Sequence, residues 1–415
     1  MRLPYARSWL SLSPPPEVDW RIIKPDEPQR TSSESKVIRV LCESLVTEIG
    51  ERFERGRRLL IVIPDHTRRC RLPLLLPPVL DELERAGLEI ELLMANGSHA
   101  RQSRDTVRDV VGDQVLKRYP VAQHDCQNMD ELAYFGQTSM GTPVWLNRRV
   151  ADCDFVLTLG AVLHHYFAGY GGGPKMLMPG VAGEQTIRIN HCRTIDPSCG
   201  RLIPQCREGG LEDNPVYLDL SEIENMVPDV LSLQVVLLPN GRIGYGECGT
   251  LLRTHRRMAR RVSELYSLPM TAKADVAVAS AGGFPTDVNL IQSHKSIHHA
   301  HAAVRVGGVV IVAAACTEGI GSETLLPYFE ETSSAGIAAR LIREYQLNGH
   351  TALALRGKSE SARIILISKL APDVVRKMGM EPAAGLREAW KLARVHLNSG
   401  SRGVILPAAH LTVPC

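Results

Sequence analysis

The sequence predicts an α/β protein of two Rossmann-like three-layer domains. Three observations carry this. Short, continuous apolar runs alternate with helical patterns, as right-handed βαβ units and parallel sheets require. The alternation pauses and restarts near residue 268. The chain has 415 residues, enough for two or three domains and a large core without disulfide staples.

The elements follow in order. Residues 14–35 are rich in Pro, Ser and charge and read as an extended arm. Ser35 to Arg55 has helical periodicity, with Val37, Ile38, Val40, Leu41, Leu45, Val46 and Ile49 on one side. Leu59 to Ile63 is an unbroken apolar run ending at Pro64-Asp65, the pattern of a strand buried on both faces. A helix from Leu74 to Ala86 stops at Gly87. The next strand, Ile90 to Ala95, leaves through Asn96-Gly97-Ser98-His99, and Phe155 to Leu159 ends at Gly160. The pattern restarts with Asp275–Ala279, a His-rich helix, Val309–Ala313 and Ile364–Ile367. The expected domains are therefore residues 1–268 and 269–389. The tail from residue 390 to 415, with its short strand Val404-Ile405-Leu406, is expected to pack back on the first domain.

Composition narrows the function. Lys+Arg is 48 and Asp+Glu is 45, a net charge of +3 that gives no argument for nucleic acid. Aromatic residues are 5%, too few for base-stacking platforms. No apolar run reaches the roughly 18 residues of a membrane helix, and the N-terminus lacks the apolar stretch of a signal peptide. Ten cysteines are scattered without a C-x-x-C, and Cys192, Cys199 and Cys206 stand at no common zinc spacing. They read as reduced thiols of a cytoplasmic protein.

Ligands of open α/β sheets sit at the carboxyl ends of strands. Three polar clusters fall there: Asp65-His66-Thr67-Arg68, Asn96-Gly97-Ser98-His99, and His164-His165 leading through Tyr170-Gly171-Gly172-Gly173-Pro174 to Lys175. The glycines can bring backbone N–H groups close to an anion, although the spacing is not that of a Walker A loop. Farther on, His191 stands at a helical site. In the second half, Gln292 and Lys295 precede His298, His299 and His301. His294 and His298, four apart, share a helix face. They read as exposed helix histidines rather than a metal pair. Lys295 lies near the start of the second domain, where it can reach a cleft between the two. The residues alone describe a two-domain protein that binds a small anionic ligand in an interdomain active-site cleft and moves protons through histidine.

Four blocks in this order resemble the nickel-dependent lactate racemase family over nearly the whole chain. They are Asp65-x-Thr67-Arg68, Gly97-Ser98-His99, His165-x9-Lys175-x15-His191, and Gln292-x-x-Lys295. The resemblance implies an isomerase that racemises or epimerises 2-hydroxy acids. It implies a nickel-pincer nucleotide, a pyridinium-3-thioamide-5-thiocarboxylic acid mononucleotide joined to Lys175 through a thioamide, with His191 as the protein ligand to nickel. Asp65, Thr67 and the Gly171, Gly172 and Gly173 segment would hold the cofactor. His99 and His165 would be the two acid/base residues, one for each enantiomer, while the cofactor takes and returns a hydride through a 2-keto acid. Arg68, Lys295 and Gln292 would bind and polarise the substrate. Cofactor-biosynthesis proteins are the implied partners.

Three positions depart from the family. Tyr170 and Gly171 stand where Phe and Ser are more common, and Tyr170 is expected to place a hydroxyl near the nucleotide. His350 stands where a Trp closes over lactate, which would open the substrate pocket to a longer or hydroxylated 2-hydroxy acid. Two other readings compete. One is a non-catalytic homologue that stores the cofactor, a role that would not require both His99 and His165. The other is a lyase with a metal held by the His294–His301 cluster.

Overall fold

The computed structural model describes every residue of the chain except Glu51 and Arg69. It divides into two compact units. One is built from Glu27–Arg193 and Gln205–Glu264, the other from Met1–Asp26, Thr194–Pro204 and Leu265–Cys415. Each unit contains a six-stranded sheet.

In chain order, the main elements begin with β1 (Asp19–Ile22), α1 (Glu34–Gly50), β2 (Arg58–Pro64), α2 (Leu72–Arg85), β3 (Glu89–Ala95) and β4 (Val121–Gln123). Then come β5 (Phe155–Ala161), α3 (Glu184–Cys192), β6 (Val230–Leu237), β7 (Ile243–Thr250) and α4 (Leu251–Tyr266). The remainder is β8 (Ala274–Ser280), α5 (Leu290–Ala302), β9 (Val304–Ala313), α6 (Gly349–Ser361), β10 (Arg363–Ile367), β11 (Glu381–Ala383) and β12 (Arg402–Leu406).

The unit formed by Glu27–Arg193 and Gln205–Glu264 has the strand order β7-β6-β5-β2-β3-β4. Its strands are parallel except β7, which is antiparallel to β6. Alternation across the pleat divides the labour of the two faces. Leu157 and Leu159 of β5 and Leu231, Leu233 and Val235 of β6 join the core with Leu41 and Leu45 of α1 and Leu75, Leu76 and Val79 of α2. Each such side chain, fully buried, contributes about 1.5–3 kcal/mol. The alternate residues are polar or small: Thr158 pairs across the strands with Ser232, and Gly160 with Gln234. All three polar side chains are fully buried.

The α1 stripe is narrower than the sequence suggests. Leu41, Cys42, Leu45 and Ile49 are buried, whereas Val40 and Val46 are exposed. A 3.6-residue period carries those two past the edge of the apolar face. The helix does not continue to Arg55 as expected: residues 52–55 are turn and irregular backbone, and Glu51 lies outside the described residues. Helix α2 ends as expected before Gly87, whose φ of +76° suits glycine.

The other unit has an all-parallel sheet in the order β11-β10-β9-β8-β12-β1. Here the expected return of the tail to the first domain is corrected. Strand β12 pairs with β8, Val404 facing Ala277 and Leu406 facing Ala279. The N-terminal arm follows it, as β1 pairs on the far side of β12. The reason is local packing: Trp20 of β1 lies where a side chain at Gly403 would stand, and its ring meets Trp390 edge-on at 5.6 Å. The chain crosses between the units after Asp26, Arg193, Pro204 and Glu264, so Met1–Asp26 and Thr194–Pro204 lie outside the unit that holds most of residues 1–268. No helix among the described residues is long and apolar enough to cross a membrane. The ten cysteines are not paired with one another, and burial pushes the thiols of Cys70, Cys248 and Cys316 up to about 12.

Candidate active site

The first cluster grows from the end of β2. Asp65 is buried, and its Oδ1 accepts from the Thr67 amide at 3.0 Å and the Thr67 hydroxyl at 2.6 Å, a tight Asx turn. Its Oδ2 meets His99 Nδ1 at 2.6 Å. Arg68 Nη1 donates to the Thr67 carbonyl at 3.2 Å and the Thr67 hydroxyl at 3.1 Å. Burial alone would push the Asp65 carboxyl up. The hydrogen bond and charge of His99, with Arg68 and Thr67, outweigh it and hold Asp65 below the usual carboxylate range. An ionised Asp65 is an acceptor only, so His99 carries its neutral-state proton on Nδ1 and turns a lone pair out on Nε2. The His99 side chain is 39% exposed, open to a small molecule while anchored from behind.

The second cluster follows β5. His164-His165 and Gly169-Tyr170 form a small antiparallel pair, with His165 opposite Gly169. His165 is buried, and the Ala168 amide donates to its Nδ1 at 3.3 Å. His165 Nε2 lies 3.2 Å from Lys175 Nζ. The Phe167 ring touches all three side chains: Lys175 Nζ is 5.0 Å from its centroid, and the rings of His165 and His191 meet it edge-on at 4.5 and 5.1 Å.

His191 stands on α3, and its Nδ1 donates to the Ile187 carbonyl at 2.9 Å. This fixes the ring and makes Nε2 the unprotonated nitrogen of the neutral imidazole. The helix is secured on both flanks of His191 by the fully buried Asp219. That carboxylate accepts from Asn190 Nδ2 at 2.9 Å and pairs with Arg193 Nε at 3.0 Å. The hydroxyls of Thr138 and Thr142 complete it at 2.6 and 2.8 Å.

The glycine segment has a different use from the expected anion cradle. The Gly171 amide donates to the Leu163 carbonyl at 2.7 Å, and the Gly173 amide to Gln234 Oε1 at 2.9 Å. Those two N–H groups are spent on the protein itself. Gly172 and Gly173 have φ of +73° and +52°. A Cβ on Gly172 would lie 2.6 Å from Gln234 Oε1, and one on Gly173 would lie 2.4 Å from the His255 ring. Glycine is required for close packing on the buried polar face of the sheet. Tyr170 is corrected too: it is buried, its ring stacks on His164 at 4.9 Å, and its hydroxyl bonds Ser263 of α4.

Gln292 and Lys295 belong to the other unit, three residues apart on one face of α5. Asn289 Oδ1 accepts from the Gln292 amide at 3.0 Å and caps the helix. The histidines of α5, expected at the surface, are instead largely packed in: His294 and His299 are buried. His301 Nε2 bonds Ser361 Oγ at 2.8 Å, and His299 Nδ1 is tied to the Ala409 carbonyl. Among the described residues no three His, Cys, Asp or Glu side chains gather to hold a metal ion, which leaves the lyase reading without a site. His350 is buried at the start of α6, with Nδ1 2.5 Å from the Tyr345 hydroxyl. Its Nδ1 is thus served by the Tyr345 hydroxyl.

Sequence reading missed Gln234, His255, Tyr217 and Asp219. Two left a signal: Ser232 and Gln234 are polar at a spacing of two within an apolar strand, and His255 falls in the buried stripe Leu251, His255, Met258, Ala259, Val262.

Comparison with known proteins gives consistent matches along the chain. A family model described as the lactate racemase N-terminal domain matches residues 5–200. One described as the lactate racemase C-terminal domain matches residues 270–410. The lactate racemase of Thermoanaerobacterium thermosaccharolyticum is 27% identical, over 98% of this chain and 97% of that protein. That of Lactiplantibacillus plantarum is 26% identical, over 88% of each. The structure of the Thermoanaerobacterium thermosaccharolyticum lactate racemase apoprotein superimposes with a TM-score of 0.89, covering 100% of this chain and 99% of that one at 26% identity. A Thermotoga maritima protein shares the fold, with a TM-score of 0.70 at 17% identity, over 94% of this chain and 100% of that one.

Proposed function

Since the chain belongs to the lactate racemase family and is an isomerase, we propose that it racemises a 2-hydroxy acid of the lactate type with a nickel-pincer nucleotide held on Lys175. The observation that carries the proposal is the pair of separately anchored histidines, His99 on Asp65 and His165 beside Lys175. Asp65 turns a bare His99 Nε2 outward, and the Ala168 amide holds the His165 ring with its Nε2 beside Lys175. A racemase needs both at once, because the proton leaves the substrate hydroxyl on one side and returns from the other.

The residues fit the cofactor. Lys175 offers an amine beside His165, and His191 offers an oriented imidazole of the kind that suits nickel alongside sulfur donors. When bound, the cofactor supplies a hydride acceptor for the substrate C2. The protein supplies the rest. Arg68, held against Thr67, neutralises the substrate carboxylate. His99 Nε2 takes the hydroxyl proton of one enantiomer and His165 Nε2 that of the other, each returning it in the reverse direction. Asp65 stabilises the imidazolium that His99 becomes. The roles of Gln292 and Lys295 in orienting the substrate rest on the resemblance in sequence.

The test is intact mass and nickel content of protein co-expressed with cofactor-biosynthesis enzymes. Lys175→Ala is expected to abolish the covalent mass increase. His191→Ala is expected to keep it while losing nickel on gel filtration. A full mass increase on Lys175→Ala would refute the attachment.

A further inference from the structure

Beneath the glycine segment lies a buried polar layer that the chemistry above does not use. His255, on the inner face of α4, is fully buried. Its Nε2 lies 3.1 Å from the Gly171 carbonyl and its Nδ1 3.3 Å from the Tyr217 hydroxyl. The carbonyl can only accept, so Nε2 carries the proton and the tyrosine donates to Nδ1. The imidazole ring also fills the space beside Gly173 that a side chain there would need. On the other side Gln234 Oε1 takes the Gly173 amide, and its Nε2 donates to Ser232 Oγ at 2.8 Å. Ser232 in turn bonds Thr158 at 2.8 Å. The same helix meets the start of the segment, where Ser263 bonds Tyr170. Lys175 follows two residues after Gly173, in a short 3-10 turn whose Lys175 amide bonds the Gly172 carbonyl at 3.1 Å.

We propose that His255 is a positioning residue for Lys175: by fixing the Gly171 carbonyl, it holds the turn from which the lysine amine joins the cofactor. The inference rests on the attachment proposed above and deepens it. In that step the Lys175 nitrogen bonds the carbon of a thiocarboxylate arm. The arm's C–O bond breaks, and the oxygen leaves as water with two of the three ammonium protons. Nothing is oxidised or reduced. The turn sets where the lysine stem starts, and the bond from His255 Nε2 to the Gly171 carbonyl is one of those that hold it. Burial pushes the His255 imidazole down to about 4; the Gly171 carbonyl opposes this and the charges of Lys175 and Arg256 add to it. The ring therefore stays neutral, and keeps one donor and one acceptor, throughout the neutral range.

The experiment follows adduct formation by intact mass, in time, after unloaded protein is mixed with the cofactor and its biosynthesis enzymes. Three variants are compared with the parent: His255→Leu, His255→Gln and Tyr217→Phe. His255→Leu keeps an apolar filler and loses both hydrogen bonds. His255→Gln keeps an N–H for Gly171. Loading by His255→Leu is expected to slow by about 10–100-fold, the cost of a misplaced reacting group. His255→Gln should recover most of that rate, and Tyr217→Phe should fall between. Hydrogen–deuterium exchange of residues 164–177 in the unloaded protein should rise in the same order. A folded His255→Leu that loads at the parental rate overturns the proposal, as does a His255→Gln no better than His255→Leu. If His255→Leu does not fold, Tyr217→Phe and His255→Gln decide: parental loading and exchange in both overturn it. Parent protein that gains no mass on Lys175 refutes the attachment itself, and the exchange series then stands as the separate test of His255.

Discussion

Replacing Asp65 by Asn is the most informative change at this site. The carboxylate receives three donors at 3.0, 2.6 and 2.6 Å: the Thr67 amide, the Thr67 hydroxyl and His99 Nδ1. An amide cannot accept all three. The two Thr67 donors will claim its oxygen, and its NH2 then faces His99. The histidine must respond by accepting at Nδ1 and moving its proton to Nε2. His99 then presents an N–H where a basic lone pair is needed, with little change in shape. A positioned acid/base group is worth about 10²–10⁴ in rate, or about 2.7–5.4 kcal/mol of barrier. Both directions of racemisation should fall by such a factor, because forward and reverse reactions share every step. The assay is racemisation of each enantiomer by cofactor-loaded enzyme, with adduct mass and nickel content measured on the same samples. The pH dependence of stability has a definite sign. The folded Asp65 carboxyl sits below its ordinary value, so its contribution is present above the unfolded pKa and is lost as pH falls through the folded one. The parent should therefore lose stability in acid more steeply than Asp65→Asn. Fully loaded Asp65→Asn with activity within threefold of the parent would refute the tautomer argument.

Other outcomes follow from the same geometry. Replacing His99 or His165 by Ala should cost about 10²–10⁴ in rate in both directions, and substrate deuterated at C2 should keep its label in the product; washout into solvent would point to a carbanion instead. Asp219→Ala strands the Arg193 guanidinium beside a buried void and should destabilise by about 3–5 kcal/mol in chemical denaturation, with Asp219→Asn much milder. Tyr345→Phe should lower the melting temperature by removing the partner of His350 Nδ1, a loss of about 1–3 kcal/mol. In a panel of lactate, malate, 2-hydroxyglutarate, phenyllactate and gluconate, lactate should give the highest kcat/KM; a tenfold advantage for gluconate would restore the case for a polar pocket.

What the sequence reveals about this protein depends on how far apart the cooperating residues lie. The core strands announce themselves because each is a local apolar run, and β2, β3, β5, β8, β9 and β10 all stand where those runs predict. The tail strand is just as visible, yet its partner is not, because a parallel strand can add to any open edge and only the packing of Trp20 over Gly403 selects one. The same division holds at the site. The intervals from His165 to Lys175 and on to His191 are short enough to be recognised as a pattern, and their side chains converge around Phe167. The glycines between them are equally conspicuous, but their purpose is not, since two structures ask for the same residue. A loop that offers its N–H groups to an anion needs glycine, and so does one pressed against the side chains beneath it. Gln234 and His255 settle which applies, from 61 and 84 residues beyond the glycines they bind. Each is an ordinary polar residue within a buried element, where an unsatisfied amide or imidazole is expensive. Such a residue is therefore a sign that something must be held, and here what is held is the turn that carries Lys175.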